Sequence, residues 1–320
     1  MPAKTSEIEN YVNKYLEYLE VERGSSPLTI RNYKHYLNRF IAWLTNSGIR
    51  LNLVDINPEV VRQYRVYLSR LPAHAGKSIG NGETLSRKTQ GYHVIALRSF
   101  LRWLIKNDHK VMSPDKIDLP KIDDRQIKFL SGDQVDRLLN APSLSSIAGK
   151  RDKAILEVFY STGLRVSELA KLDRDKVDLE RREFGIVGKG GKARVVFLST
   201  RAKEWVLKYL NSRRDHYKPL FIRHKGNMDP SVPDEKMRLS VRSIQRLIKK
   251  YARKIKLPVG ATPHTIRHSF ATDLLMAGAD LRSVQEMLGH KNISTTQIYT
   301  HVTHKHLRDV HSAFHGKGGK

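Results

Sequence analysis

Near the end of the chain, His264, Arg267, His290 and Tyr299 stand in the order H-x-x-R, then L-G-H, then a tyrosine nine residues on. Two imidazoles, a guanidinium and a phenol can attack a phosphodiester without a metal. The phenol is the nucleophile once it loses its proton, the guanidinium holds the charge that grows on the phosphate, and the imidazoles accept a proton or donate a hydrogen bond. Taken singly, each has an ordinary structural explanation: a capping histidine, a surface arginine, a turn histidine, a packed tyrosine. The chemistry depends on their conjunction, and so on the elements that bring them together.

Composition says what such a set would act on. Lys and Arg total 58 against 32 Asp and Glu, a formal charge of +26 over 320 residues. Solubility does not require that excess; a polyanionic partner does. It is shared along the chain, with 17 basic against 9 acidic residues in 1–110 and 41 against 23 in 111–320. Both parts are therefore expected to face one nucleic acid, with an affinity that falls steeply with salt. Cysteine is absent, which excludes disulfides, thiolate metal sites and a cysteine nucleophile. The N-terminus lacks the apolar core of a signal peptide, and no run approaches the ~20 apolar residues of a membrane span. A cytoplasmic protein that does not enter a membrane is expected. His264 and His268 have the i, i+4 spacing of a zinc helix, but Thr265 stands where a glutamate would be needed and no third ligand follows, so no metal is expected. The GKGGK run lacks Walker spacing, and no cofactor is expected.

The length suits two domains, each with a core. Ser6-x-x-Glu9 is a capping-box pattern opening an amphipathic helix over 6–22. A second helix follows Ser26-Pro27 and stops at Asn46-Ser47-Gly48; a third is capped by Asn57 and runs to about Arg70; a fourth covers Ser86 to Asn107. Four helices without a strand signal predict a small all-helical domain over 1–112. Residues 71–85 read as an exposed loop, and the Pro-bearing, charge-alternating 113–128 as a linker. A second domain, 129–320, starts with a helix capped by Ser131 and another from about Ala148 to Ser161 with Gly163 as its stop. Strand-like runs over 183–198 flank Gly190-Gly191, a two-residue hairpin signal. Thr262-Pro263 starts the helix that carries His264 and Arg267 near its positive end, where a phosphate is favoured. Asp280 starts the next helix and Gly289 ends it, so that His290 emerges on the following turn. Ser294-x-x-Gln297 caps a short helix bearing Tyr299. Residues 236–256 hold nine basic and no acidic residue, with Ile244, Leu247, Ile248, Tyr251 and Ile255 as an apolar stripe. This is a basic amphipathic helix suited to DNA, RNA or a membrane surface.

The run HTIRHSFATDLLMAGADLRSVQEMLGHKNISTTQIYTHVT, with TGLRVSELAKL at 162–172, resembles the tyrosine recombinase family and its Xer branch. The likeness extends through VGKGGKARVVFL and SRKTQGYHVIALRSFLRWL and covers nearly the whole chain. It implies a mainly α protein: an all-α core-binding (SAM-like) domain, then a mostly α catalytic domain with a small antiparallel sheet, the two forming a C-shaped clamp on duplex DNA. By resemblance Arg165 is the first catalytic arginine, Lys189 the hairpin lysine, His264 and Arg267 the H-x-x-R pair, His290 the late histidine and Tyr299 the nucleophile. Lys192 is the alternative for the lysine, its other reading being a backbone phosphate contact. The 236–256 helix would dock in the major groove, Arg242 and Gln245 reaching bases and Lys249 and Lys250 phosphates. Ile266 stands where the family usually has Leu.

The implied reaction joins DNA to tyrosine through a 3′ phosphate, frees a 5′ hydroxyl, and rejoins the backbone without ATP or metal. Implied partners are duplex DNA with an inverted-repeat site, further recombinase protomers in a homo- or hetero-tetramer, and a DNA translocase as activator. Leu307, Val310 and Phe314 in the tail pack on their own domain or, as the resemblance implies, dock into a neighbouring protomer. The implied role is resolution of chromosome or plasmid multimers. The alternatives are an integrase of a mobile element, a non-catalytic DNA-binding accessory protein and a type IB topoisomerase-like relaxing enzyme.

Overall fold

Helix ends along the chain are set where capping side chains stand. In the computed structural model, which describes residues 6–72, 84–120, 128–188, 191, 193–224, 231–258 and 260–289, α1 spans Glu7–Val21. Ser6 Oγ accepts from the Glu9 N–H at 3.3 Å while the Glu9 carboxylate accepts from the Ser6 N–H at 2.8 Å, the predicted capping box. α2 (Pro27–Asn46) is capped by Ser26, α3 (Pro58–Arg70) by Asn57 and α4 (Arg87–Lys106) by Ser86. Their inward stripes meet in one core that includes Ile8, Tyr15, Leu37, Phe40, Tyr64, Leu97 and Phe100. Pro72 and Thr84 pair across the ends of the 71–85 loop. A 3-10 turn, Pro114–Lys116, then lays Ile117 into the same core.

The chain divides into two compact units, Met1–Arg125 and Gln126–Lys320. The second contains α5 (Gly132–Leu139), α6 (Ile147–Thr162), the short α7 (Val166–Ala170), β1 (Glu183–Val187), β2 (Ala193–Phe197), α8 (Thr200–Leu210), α9 (Asp234–Met237), α10 (Val241–Lys254), α11 (Pro263–Met276) and α12 (Leu281–Leu288). α6 is its axis: Ala154, Ile155, Leu156, Val158 and Phe159 are all buried, the mark of a helix enclosed on every side. No helix among the described residues is long and apolar enough to cross a membrane.

Two expectations are corrected. β1 and β2 pair antiparallel from Glu183 with Phe197 to Val187 with Ala193. Partner numbers in that ladder share an even sum, so an odd number of residues must reverse the chain and a two-residue turn at Gly190–Gly191 does not fit. Five residues, 188–192, separate the last paired positions; the Gly191 N–H donates to the Gly188 carbonyl at 3.2 Å and Gly191 takes φ 76°, in the left-handed region that glycine favours. Burial fixes this register: Phe184, Ile186 and Val196 face the core, and a slip of one residue would expose all of them. The second correction concerns the basic helix. It begins at Val241, because Ser240 Oγ accepts the Ser243 N–H at 3.1 Å and so caps it there; residues 236–239 belong to the end of α9 and an extended step.

Candidate active site

Two helix C-termini and one helix N-terminus carry the site. α6 ends at Gly163, which takes φ 56°. A Cβ there would lie 2.4 Å from Phe270 Cδ1 on α11, so only glycine fits. α12 is capped by Asp280, whose Oδ1 accepts the Arg282 and Ser283 N–H groups at 2.9 Å each, and ends at Gly289 with φ 64°. Thr262 caps α11 in reciprocal hydrogen bonds with Thr265. That start places His264 exposed in the first turn and Arg267 buried one turn further in.

Arg267 is only 5 % exposed. Its cost of burial is met by backbone acceptors: Nη1 donates to the Gly163 carbonyl at 2.6 Å and Nη2 to the Leu288 carbonyl at 2.5 Å. Arg165, the N-cap of α7, donates Nη2 to the Gly289 carbonyl at 2.8 Å and Nη1 to Glu168 Oε1 at 2.9 Å. Thus the guanidinium groups of Arg165 and Arg267 hang on neighbouring carbonyls of the α12 C-terminus. Carbonyls there lack intrahelical donors and lie at the negative end of the helix dipole, which favours cations. Arg165 keeps its side chain about one third exposed, which leaves it open to an incoming anion.

Glu168 is the acidic member of the site. Burial alone would push its carboxyl up, but hydrogen bonds from Arg194 and from the backbone and guanidinium of Arg165 outweigh that and hold it down at about 2. It is a carboxylate at any working pH. His268, on the next turn of the H-x-x-R helix, is held down to about 4 by burial first and then by the charges of His264 and Arg267, so its ring is neutral near pH 7.

The structure thus brings Arg165 and Arg267 together and puts His264 on the helix of the second. Lys189, Lys192, His290 and Tyr299 lie outside the described residues, though Gly289 delivers the chain directly to His290. Arg242, Gln245, Lys249 and Lys250 are exposed on α10, whose opposite face buries Ile244, Leu247, Ile248 and Tyr251. Tyr251 pins that helix to α6, its hydroxyl donating to Asp152 Oδ2 at 2.8 Å. Sequence reasoning missed Glu168 and Arg194. For Glu168 a signal existed, since R-x-x-E at a helix start is a capping-box spacing; for Arg194, one basic residue among many on a strand, there was none.

Paired guanidinium groups held on backbone carbonyls, with the basic exposed face of α10 in the same unit, form a cationic site of the kind suited to charge on a phosphodiester. The chain belongs to the phage integrase family, the site-specific tyrosine recombinases: the model described as "Phage integrase family" matches residues 128–306, and "Phage integrase, N-terminal SAM-like domain" matches 12–108. Tyrosine recombinase XerC of Thermodesulfovibrio yellowstonii is 37 % identical over 95 % of this chain and 96 % of its own. Tyrosine recombinase XerD of Lacticaseibacillus casei is 36 % identical over 95 % of this chain and 98 % of its own. The fold also matches the crystal structure of XerH site-specific recombinase bound to palindromic difH substrate, with a TM-score of 0.69, 20 % identity, and coverage of 98 % of this chain and 91 % of that one. The likeness to Xer recombinases spans both units, so the mainly α, two-domain fold class and the recombinase assignment both stand.

Proposed function

We propose that this recombinase cuts and rejoins duplex DNA at an inverted-repeat site, with Tyr299 as the nucleophile and Arg165 and Arg267 holding the attacked phosphate. The observation that carries this reading is the pair of guanidinium groups held on the Gly163, Leu288 and Gly289 carbonyls. The phenol oxygen of Tyr299 attacks phosphorus and gives up its proton, with a histidine, His264 or His290, as acceptor. The bond from phosphorus to the 5′ oxygen breaks, and Lys189, with Lys192 as the alternative, protonates the departing oxygen. A 3′-phosphotyrosine and a 5′ hydroxyl result. Attack by the 5′ hydroxyl of a partner strand reverses these steps on a new strand, so bond energy is kept and ATP is not consumed. Excess negative charge on the phosphate during each step is what the arginines stabilise, while His290 adds a hydrogen bond.

In this reading α10 lies in the major groove, with Arg242 and Gln245 toward bases and Lys249 and Lys250 toward phosphates. Four protomers, of one kind or two, assemble on paired sites and pass through a Holliday junction. An apolar cleft of about 670 Å³, lined by Tyr160, Phe197, Phe270, Leu274 and Met287 among others, offers the tail of a neighbouring protomer a seat. The biological role is resolution of chromosome or plasmid multimers at cell division in the cytoplasm, with a DNA translocase as activator. Near-equal identity to relatives named XerC and XerD supports that role over integration of a mobile element.

The decisive test uses a nicked suicide duplex carrying the site, from which the cut fragment diffuses away. Wild type accumulates a covalent protein–DNA adduct, whereas Tyr299→Phe binds the duplex equally well and forms none. A wild-type protein that binds but never becomes covalent defeats the reading.

A further inference from the structure

Arg194 projects from the inner face of β2, opposite Ile186 in the ladder, and its side chain is 11 % exposed. All of its side-chain nitrogens have protein acceptors. Nη2 donates to Glu168 Oε2 at 2.8 Å, Nη1 to Glu168 Oε1 at 3.2 Å, and Nε to the Met287 carbonyl at 3.1 Å. Three successive carbonyls at the end of α12 are thereby taken by three different arginines: Met287 by Arg194, Leu288 by Arg267 and Gly289 by Arg165. The Arg194 side chain also lies against Gly289, since a Cβ there would be 3.1 Å from both its Cδ and Nη1.

Charge explains why a second arginine is needed beside Glu168. That carboxylate braces Arg165 through its backbone N–H at 2.8 Å and its guanidinium at 2.9 Å. Alone, the pair would be neutral and a weak ligand for a phosphate. Arg194 restores a net positive charge to the group, and its planar fork takes both carboxylate oxygens in one fixed orientation. It also ties the catalytic hairpin to the turn that leads into His290.

We propose that Arg194 is a positioning residue for strand cleavage: it fixes the Arg165–Glu168 pair and the α12 C-terminus before DNA binds, and it touches neither DNA nor the reacting atoms. This rests on the recombinase reading above. Misplacing a phosphate-holding group by about 1 Å costs on the order of 100-fold in rate. The measurement is single-turnover adduct formation by the full chain on the suicide duplex, beside the Kd of the same duplex.

R194A is expected to cleave on the order of 100-fold more slowly while its Kd stays within about twofold of wild type. R194K keeps the charge but loses the fork, and should fall between the two. A duplex with sulfur in place of the bridging 5′ oxygen needs no proton on its leaving group, and it should leave the R194A defect in place, because the defect lies in holding the phosphate. Cleavage by both variants at the wild-type rate overturns the proposal. So does a loss of affinity that matches the loss of rate, which would make Arg194 a DNA contact, and so does full recovery with the sulfur substrate, which would place its action on the lysine. Should R194A fail to fold, R194K carries the same comparisons. Wild type without any adduct defeats the recombinase reading itself and is told apart from all of these.

Discussion

Gly163→Ala is expected to be among the most damaging single-methyl changes in the second unit, for reasons that can be separated. Gly163 has φ 56°, a left-handed conformation that costs an L-residue with a Cβ about 1–2 kcal/mol. Its new Cβ would also stand 2.4 Å and 2.8 Å from Phe270 Cδ1 and Cε1 and 3.1 Å from Leu288 Cδ2. Overpacking of this kind costs roughly 1–3 kcal/mol, so the sum is about 2–5 kcal/mol. In a unit of this size each kcal/mol moves Tm by about 2–4 °C, giving a fall of about 4–20 °C. Gly278→Ala isolates the backbone part, because Gly278 has φ 94° with nothing within 4 Å of a built Cβ; its fall should be about 2–8 °C. Thermal unfolding by circular dichroism measures both, and cleavage at 20 °C measures the site. Activity should drop with Gly163→Ala beyond the loss of folded protein, because the clash displaces Leu288, and the carbonyls of residues 163 and 288 together hold Arg267. If Gly163→Ala melts no lower than Gly278→Ala, the close packing described around the α6 terminus is wrong.

Two further outcomes follow from the structure. Burial, then the charges of Arg39 and His35, holds the His93 ring down to about 4 from an ordinary 6.5. The native state therefore resists a proton that the unfolded chain accepts. The first unit should keep full stability above pH 6.5 and lose on the order of 3 kcal/mol as pH falls from 6.5 to 4; urea midpoints along that range check this, and His93→Gln with an unchanged slope would contradict it. Phe197 is 56 % exposed on the outer face of β2, at the rim of the apolar cleft. Phe197→Asp should leave folding and binding to a single half-site intact while abolishing cooperative assembly on paired sites, seen as the loss of slow-migrating complexes in a gel.

Helix starts were legible in the sequence because each depends on a few neighbouring residues. Ser6, Ser26, Asn57, Ser86, Ser131, Thr262 and Asp280 all cap the helices expected of them. The two misreadings have physical causes of the same kind. Basic residues run unbroken from α9 into α10, so charge could not show where the helix begins, while the Ser240 hydroxyl decides it. Gly190-Gly191 is a local turn signal, but the hairpin register is set at its other end, by Phe184 and Val196 turning toward the core.

The site was legible as residue types and hidden as geometry. Arg165 and Arg267 stand out in their motifs, yet what holds them is backbone oxygen, which has no side-chain signature, supplied from 124 and 104 residues away in the chain. Gly163 and Gly289 read as helix stops; in the fold Gly163 also leaves room for the Phe270 and Leu288 side chains, and Gly289 for that of Arg194. The carbonyl ends of α6 and α12 each carry a partial negative charge of about half a unit. Arg267 bridges the two, with one Nη on each. Carbonyls satisfy a buried guanidinium without neutralising it, whereas a carboxylate on each arginine would cancel the charge the phosphate needs. Glu168 is the carboxylate that braces Arg165 and Arg194, and the two arginines share it. The arrangement therefore holds its cations rigidly and still presents them as cations, which is the condition for stabilising a phosphate that gains charge as a phenol attacks it.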